Sequence, residues 1–127
     1  MITTPIRNMI AGAGLGLVEG STLFSEGSKG DQYVSFYTTT ENPWPGMGSG
    51  FRKAYVQTMV VGYTIADGKA MAESILELVE GMIGDYAASD GKTYHIYAVS
   101  VISTPTILQG LPSIAYSSNA IVYYRMA

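Results

Sequence analysis

One histidine and no cysteine bound the chemistry open to this 127-residue sequence. Without cysteine there is no disulfide, no thiolate nucleophile and no cysteine-based zinc site, and the redox compartment stays open. A metal centre or a Ser-His-Asp arrangement would have to be built around His95 alone, and no acidic residue adjoins it in the sequence. Its surroundings favour a strand histidine with an ordinary hydrogen bond. Glu73, Glu77 and Glu80 recur at i, i+4 and i+7, so a helix would place them on one face. Three carboxylates there could hold a cation or a basic partner, but a position opposite an apolar stripe is that of a solvated face. Carboxylates that share acid–base work must oppose each other across a cleft, which this spacing does not provide. Gly12-Ala13-Gly14-Leu15-Gly16 invites a dinucleotide-binding reading, yet its spacing is not G-x-G-x-x-G and no strand precedes it. No catalytic, cofactor-binding or metal-ligating residue is expected, no small-molecule substrate, and hence no enzyme.

The elements that position these residues are organised around Ala54 to Met82. The run from Ala54 to Tyr63 is rich in β-branched and aromatic residues and reads as a strand. After the turn signal Ala66-Asp67-Gly68 the period changes. Met71, Ile75, Leu78, Val79 and Met82 then form a helical stripe, with Asp67 as the expected N-cap. The stripe is expected to lie on the sheet, with Leu78→Ala costing about 2–5 kcal/mol. Near the start, Thr4 and Pro5 read as the cap and first position of another helix, with a stripe of Ile6, Met9, Ile10, Ala13 and Leu17. Gly12, Gly14 and Gly16 weaken it by about 1 kcal/mol each, so it needs a docking surface.

Only 13% of the residues are charged, against about 25% in an average soluble domain. With Tyr 10, Met 7 and Gly 15, much of the surface must be neutral or apolar, and Tyr and Met are enriched where proteins meet. A net charge of -3 with scattered Lys and Arg argues against a phosphate-binding role. No run reaches the roughly 18 apolar residues of a membrane helix, and no membrane partner is expected. The apolar segment from Met9 to Val18 has no small-residue cleavage site after it, so secretion is not expected.

Tyr33 to Tyr37 reads as a short strand, Thr93 to Ser103 as a long one, and Asn119 to Met126 as the last. Two long connections remain, Thr38 to Lys53 and Thr104 to Ser118, each rich in apolar anchors for so polar an environment. The first carries Trp44, Met47, Phe51 and Arg52. The second carries Ile107, Leu108, Leu111, Ile114 and Tyr116. These nine are the candidate protein-interface residues, with Trp44 the leading anchor. The element order α-β-β-α-β-β predicts an α+β single domain. Its sheet is expected to have about four mainly antiparallel strands, with an amphipathic helix on one face.

Three segments carry a resemblance to a family. The strand Tyr55 to Tyr63 leading into Lys69-Ala70-Met71-Ala72-Glu73-Ser74-Ile75 is similar to the central strand and Ala-rich helix of the tail terminator and minor capsid proteins of long-tailed bacteriophages. Val101-Ile102-Ser103-Thr104-Pro105-Thr106-Ile107-Leu108 resembles that family's proline-containing strand exit, and Ser118 to Met126 its C-terminal aromatic strand. The resemblance covers Ala54 to Met126; the glycine-rich N-terminal helix departs from the family's longer one. It implies that residues 1–127 form a tail-terminator-like domain acting as a virion structural protein at the head–tail junction, assembled in the host cytoplasm. It further implies a homo-oligomeric ring, expected to be a hexamer, that caps the tail tube. Tail tube protein would lie on one side and neck or connector proteins on the other, with genome DNA passing through unread. Another head–tail connector or minor capsid protein, or a monomeric binding module of similar fold, stays open as an alternative. A small enzyme has the least support.

Overall fold

Residues 1–44, 50–88, 91–108 and 114–126 are described by a computed structural model. In chain order the elements are α1 (Thr3–Ala11), β1 (Leu23–Ser25), β2 (Tyr33–Pro43), β3 (Phe51–Val61), α2 (Ile65–Glu80), β4 (Gly84–Ala87), β5 (Thr93–Leu108) and β6 (Ala115–Met126). The strands make one six-stranded sheet in the order β1-β2-β3-β6-β5-β4. The β1–β2 pair is parallel and the other four pairs are antiparallel. The mixed helix-and-sheet class is as expected, but four strands become six. β1 and β4 have three and four residues, too short for alternation to be visible, and β4 opens on Gly84-Asp85, which reads as a turn.

The long connections are corrected most. β2 runs on through Thr38-Thr39-Thr40 to Pro43, with a bulge at Thr39, and Phe51, Arg52 and Lys53 already belong to β3. The β-branched threonines sustain the strand past the point where Asn42-Pro43 signals a turn. Likewise β5 extends to Leu108 and β6 begins at Ala115. Pro105 lies inside β5 rather than at its exit. Among the described residues no strand pairs with the outer edge of β5 beyond Ile96, so the missing N–H removes no ladder bond there.

Both helices lie on the same face and share one core. Ile2, Ile6 and Ile10 from the α1 region join Ala72, Ile75 and Val79 of α2 over Val34, Phe36, Val56, Val60, Val122 and Tyr124 of the sheet. α1 ends at Ala11, shorter than its expected stripe, because Gly12 caps it and Gly14 and Gly16 take positive φ. Ile2 rather than Thr4 occupies its N-cap, without a side-chain cap bond. The helix is held by docking and by Thr3, whose hydroxyl donates to the Glu26 carboxylate at 2.8 Å. That carboxylate also accepts from the Thr38 backbone N–H at 2.8 Å, which ties α1 to β2.

α2 begins one turn earlier than expected. Thr64, not Asp67, is its N-cap, and the Thr64 hydroxyl accepts from the Asp67 backbone N–H at 3.2 Å. The register moves with it: Gly68, Ala72, Ile75, Leu76 and Val79 form the buried stripe, while Leu78 is 36% exposed. Gly68 lies in a tight contact. A Cβ there would stand 3.1 Å from the Tyr116 ring, whose hydroxyl donates to the Ile65 carbonyl at 3.1 Å. Gly62, at φ +86, lets the Asp31 carbonyl pass where a Cβ would meet it at 2.0 Å. Glu73, Glu77 and Glu80 are exposed, as expected.

The corrected register moves the core truncation from Leu78 to Ile75, which is fully buried. Ile75→Ala is expected to lower unfolding free energy by about 2–5 kcal/mol. Leu78→Ala and Glu77→Ala should each stay within about 0.5 kcal/mol. Urea midpoints of the three variants check the assignment, and a silent Ile75→Ala would refute it.

Candidate functional site

The alternation that buries one face of the sheet sends the other set of side chains to a face without a helix. On β3 these are Phe51, Lys53, Tyr55, Gln57, Met59 and Val61, all half-buried. Across the register, Phe51 pairs with Arg125, Lys53 with Tyr123, Tyr55 with Ile121 and Gln57 with Asn119. On the β2 side Tyr37 pairs with Gln57 and Tyr33 with Val61. Six aromatic residues lie toward the end where β3 begins and β6 ends, or along the centre of this face. Aromatic residues of this density depart from the polar outer face of many antiparallel sheets.

Its dense part is a cluster around Phe51. The Trp44 ring lies 5.0 Å from Tyr123 and 6.3 Å from Phe51, centroid to centroid, and Tyr97 stacks on Phe51 at 5.6 Å. The Arg125 guanidinium sits over the Phe51 ring at 5.5 Å, and the Lys53 ammonium over Tyr55 at 6.0 Å. Neither cation makes an ion pair with a described residue. Tyr97 falls on this face by plain alternation after Ile96, and an extra residue in β5 between Ile96 and Ala98 then puts Ala98 on the same side, across from Tyr123. Tyr94 and Ile96 therefore face the helices, and so does Val99 beyond the bulge. The extra residue reverses the sides that strict alternation along Thr93 to Ser103 gives Ala98 and Val99, while Tyr97 keeps its side and stacks on Phe51.

The sequence-derived candidates divide accordingly. Trp44 and Phe51 meet in the cluster, with Trp44 half-buried and bonded to the β3 start through its backbone N–H (2.9 Å to the Phe51 carbonyl). Arg52 is on the opposite, helix-side face, paired in register with Tyr124. Ile107 and Leu108 are strand residues of β5, and Ile107 packs against the core. Tyr116 is 5% exposed under α2, so it is a core residue of this chain rather than a loop anchor. Ile114 is 38% exposed at the far end of the sheet, away from Trp44. Met47 and Leu111 fall outside the described residues. Tyr97, Tyr123 and Arg125 were missed because they lie on strands rather than connections.

Other polar groups form structural pairs. His95 is hydrogen-bonded through Nδ1 to the Asp85 carboxylate of the neighbouring strand β4, a contact distant enough in sequence to escape notice. Asp85 is exposed, no hydroxyl of a described residue bonds the ring, and an exposed pair of this kind contributes little. On the helix side, the Tyr124 hydroxyl donates to the Glu41 carboxylate. Burial first, then Glu41, raises the Tyr124 pKa far above its ordinary value. The concave regions are open grooves along α2. One of about 520 Å³ is walled by Lys69, Glu73, Glu77 and Glu80 against Thr104 and Pro105. No described helix is long and apolar enough to cross a membrane. No described group of three or more His, Asp or Glu could hold a metal ion.

A scan of protein-family models and a search of curated proteins return no match to this sequence.

Two outcomes are expected from this geometry. Trp44→Ala should keep the far-UV circular dichroism while costing about 0.5–1.5 kcal/mol for each aromatic pair lost. A loss of the fold would place Trp44 in the core instead. Because the folded-state pKa of Tyr124 is raised, its contribution is intact below the ordinary tyrosine value of about 10 and declines as pH rises above that. Urea titrations from pH 8 to 11 should show an alkaline loss of stability that is smaller in Tyr124→Phe.

Proposed function

We propose that this chain is a structural subunit of a virion, a tail terminator that assembles into a ring at the head–tail junction. The observation that carries the reading is the uncovered sheet face. It holds aromatic side chains and two cations that pair with no described carboxylate, which suits contact between proteins rather than chemistry on a small molecule. The low charge content and the resemblance of residues 54–126 to tail terminator and minor capsid proteins point the same way. In this reading the subunits close as a hexamer, with tail tube protein and neck proteins on the two sides of the ring. The ring exerts its effect by shape and contact, and genome DNA passes through it without base-specific binding. A different head–tail connector or minor capsid protein would use the same face, and six-subunit closure on the tail tube separates the terminator from it.

Native mass spectrometry from micromolar to millimolar concentration, with and without purified tail tubes, tests the reading. A closed oligomer, six subunits in the tail-bound form, is the expected result. Particles assembled without the chain should have tails of uncontrolled length. A chain that stays monomeric on tail tubes, with normal tails in its absence, would refute it.

A further inference from the structure

The uncovered sheet face has a counterpart on the same molecule. The solvent side of α2 presents Glu73, Glu77 and Glu80 along one flank and the exposed Leu78 along the other, with the exposed Ile83 just past the helix. Glu73 has a partner in Lys69 at 4.0 Å, while Glu77 and Glu80 pair with no described cation. The sheet face offers the opposite charges, Lys53 and Arg125, among Trp44, Phe51, Tyr55, Tyr97 and Tyr123. The spacings agree. Lys53 and Arg125 are diagonal neighbours on adjacent strands, about 7–8 Å apart at their Cβ atoms. Glu73, Glu77 and Glu80 succeed one another at about 6 and 4.5 Å along the helix axis.

We infer that the uncovered sheet face of one copy receives the outer face of α2 from the next copy, with Lys53 and Arg125 meeting Glu77 and its flanking carboxylates. The occupant is a second copy because this chain supplies both the aliphatic surface and the carboxylates that Lys53 and Arg125 have no described partner for; Asp85, which shares the sheet face, is already hydrogen-bonded to His95. The contact gives the sheet a helical layer on its second side, borrowed from a neighbour. It joins two different patches, so it is head-to-tail, and such contacts propagate around a ring instead of stopping at a dimer. A two-fold pairing of sheet face on sheet face would set cations against cations, and of α2 on α2 carboxylates against carboxylates. This inference rests on the ring reading and names the contact that builds the ring.

The test reverses charge on each side separately. Lys53→Glu with Arg125→Glu, and Glu77→Lys with Glu80→Lys, should each weaken self-association by on the order of tenfold or more. Mixed in equal amounts, the two variants should recover the closed oligomer with the two chains alternating, since every junction then regains opposite charges. Lys53→Glu with Arg125→Gln replaces the first pair if circular dichroism shows misfolding, because the Arg125 Nε is buried. A wild-type ring unaffected by either reversal, or one that mixing fails to restore, overturns this contact and leaves the ring reading standing. A wild-type chain that never self-associates, on tail tubes or free, overturns both. Protection of the sheet face by single-stranded oligothymidine in place of self-association would assign the cations to a nucleic acid and also overturn the inference.

Discussion

Two helices of nine and sixteen residues must cover a six-stranded sheet, and they can cover only one side of it. This constraint organises the molecule. Ala54, Val56, Thr58 and Val60 of β3, with Ala120, Val122 and Tyr124 of β6, point at the helices and close the core. Period-2 alternation then forces Phe51, Lys53, Tyr55, Tyr123 and Arg125 to the other side. The fold could have made that second side polar, as many antiparallel sheets do. Its Phe51 end is instead populated by rings and by two cations that rest on them, while Gln57 and Asn119 bond Ser117 and Ser103 farther along. The same geometry that secures the monomer therefore produces its candidate interface, and the two cannot be altered independently by a one-residue shift in register.

The helix–sheet joint is the point at which this packing is most exacting. The Tyr116 ring packs so closely on Gly68 that a side chain there would push it by a few tenths of an ångström, and its hydroxyl reaches the first carbonyl of α2. Gly68 is thus a poor helix former kept for a close approach. At the other end of the sheet, Tyr124 and Glu41 pair beneath the α2 side while Trp44, Phe51 and Tyr97 gather above it. The strands β3 and β6 carry both arrangements, one on each side. Chemistry plays no visible part in either. His95 and Asp85 meet across β4 and β5, but the pair lies at a sheet edge with Arg125 across the register and no nucleophile of a described residue bonded to it.

The legible parts of the sequence were those with a strong period. The central strand, the existence of α2, its exposed glutamates and the closing aromatic strand follow from alternation and helical spacing alone. The offset of α2 by one turn did not, because Thr64 and Asp67 are both acceptable caps and only the Tyr116 contact selects between them. The connections were overestimated for a different reason. Asn42-Pro43 and Thr104-Pro105 are turn signals in isolation, yet both lie in strands, at a strand end and on an unpaired edge, where proline costs no hydrogen bond to a neighbour. The candidate site was read in part, through Trp44 and Phe51. Its remaining members, Tyr97, Tyr123 and Arg125, lie on strands whose alternation gives their side of the sheet but not which residues of neighbouring strands stand beside them, because that is set by register.

The irregular course of β5 has a further consequence. From Thr93 to Tyr124 the chain has no lysine, arginine, aspartate or glutamate, so the outer rim of β5 lacks the charges that commonly keep sheet rims apart. It has three breaks in register and a proline instead. These interrupt and twist the rim, so that a second strand would find no long, flat template to extend. A protein with so neutral a surface runs a constant risk of stacking into fibrils when it is made in quantity. Its backbone meets that risk through shape rather than electrostatic repulsion, which stays effective at any ionic strength and leaves the broad side of the sheet free to be sticky.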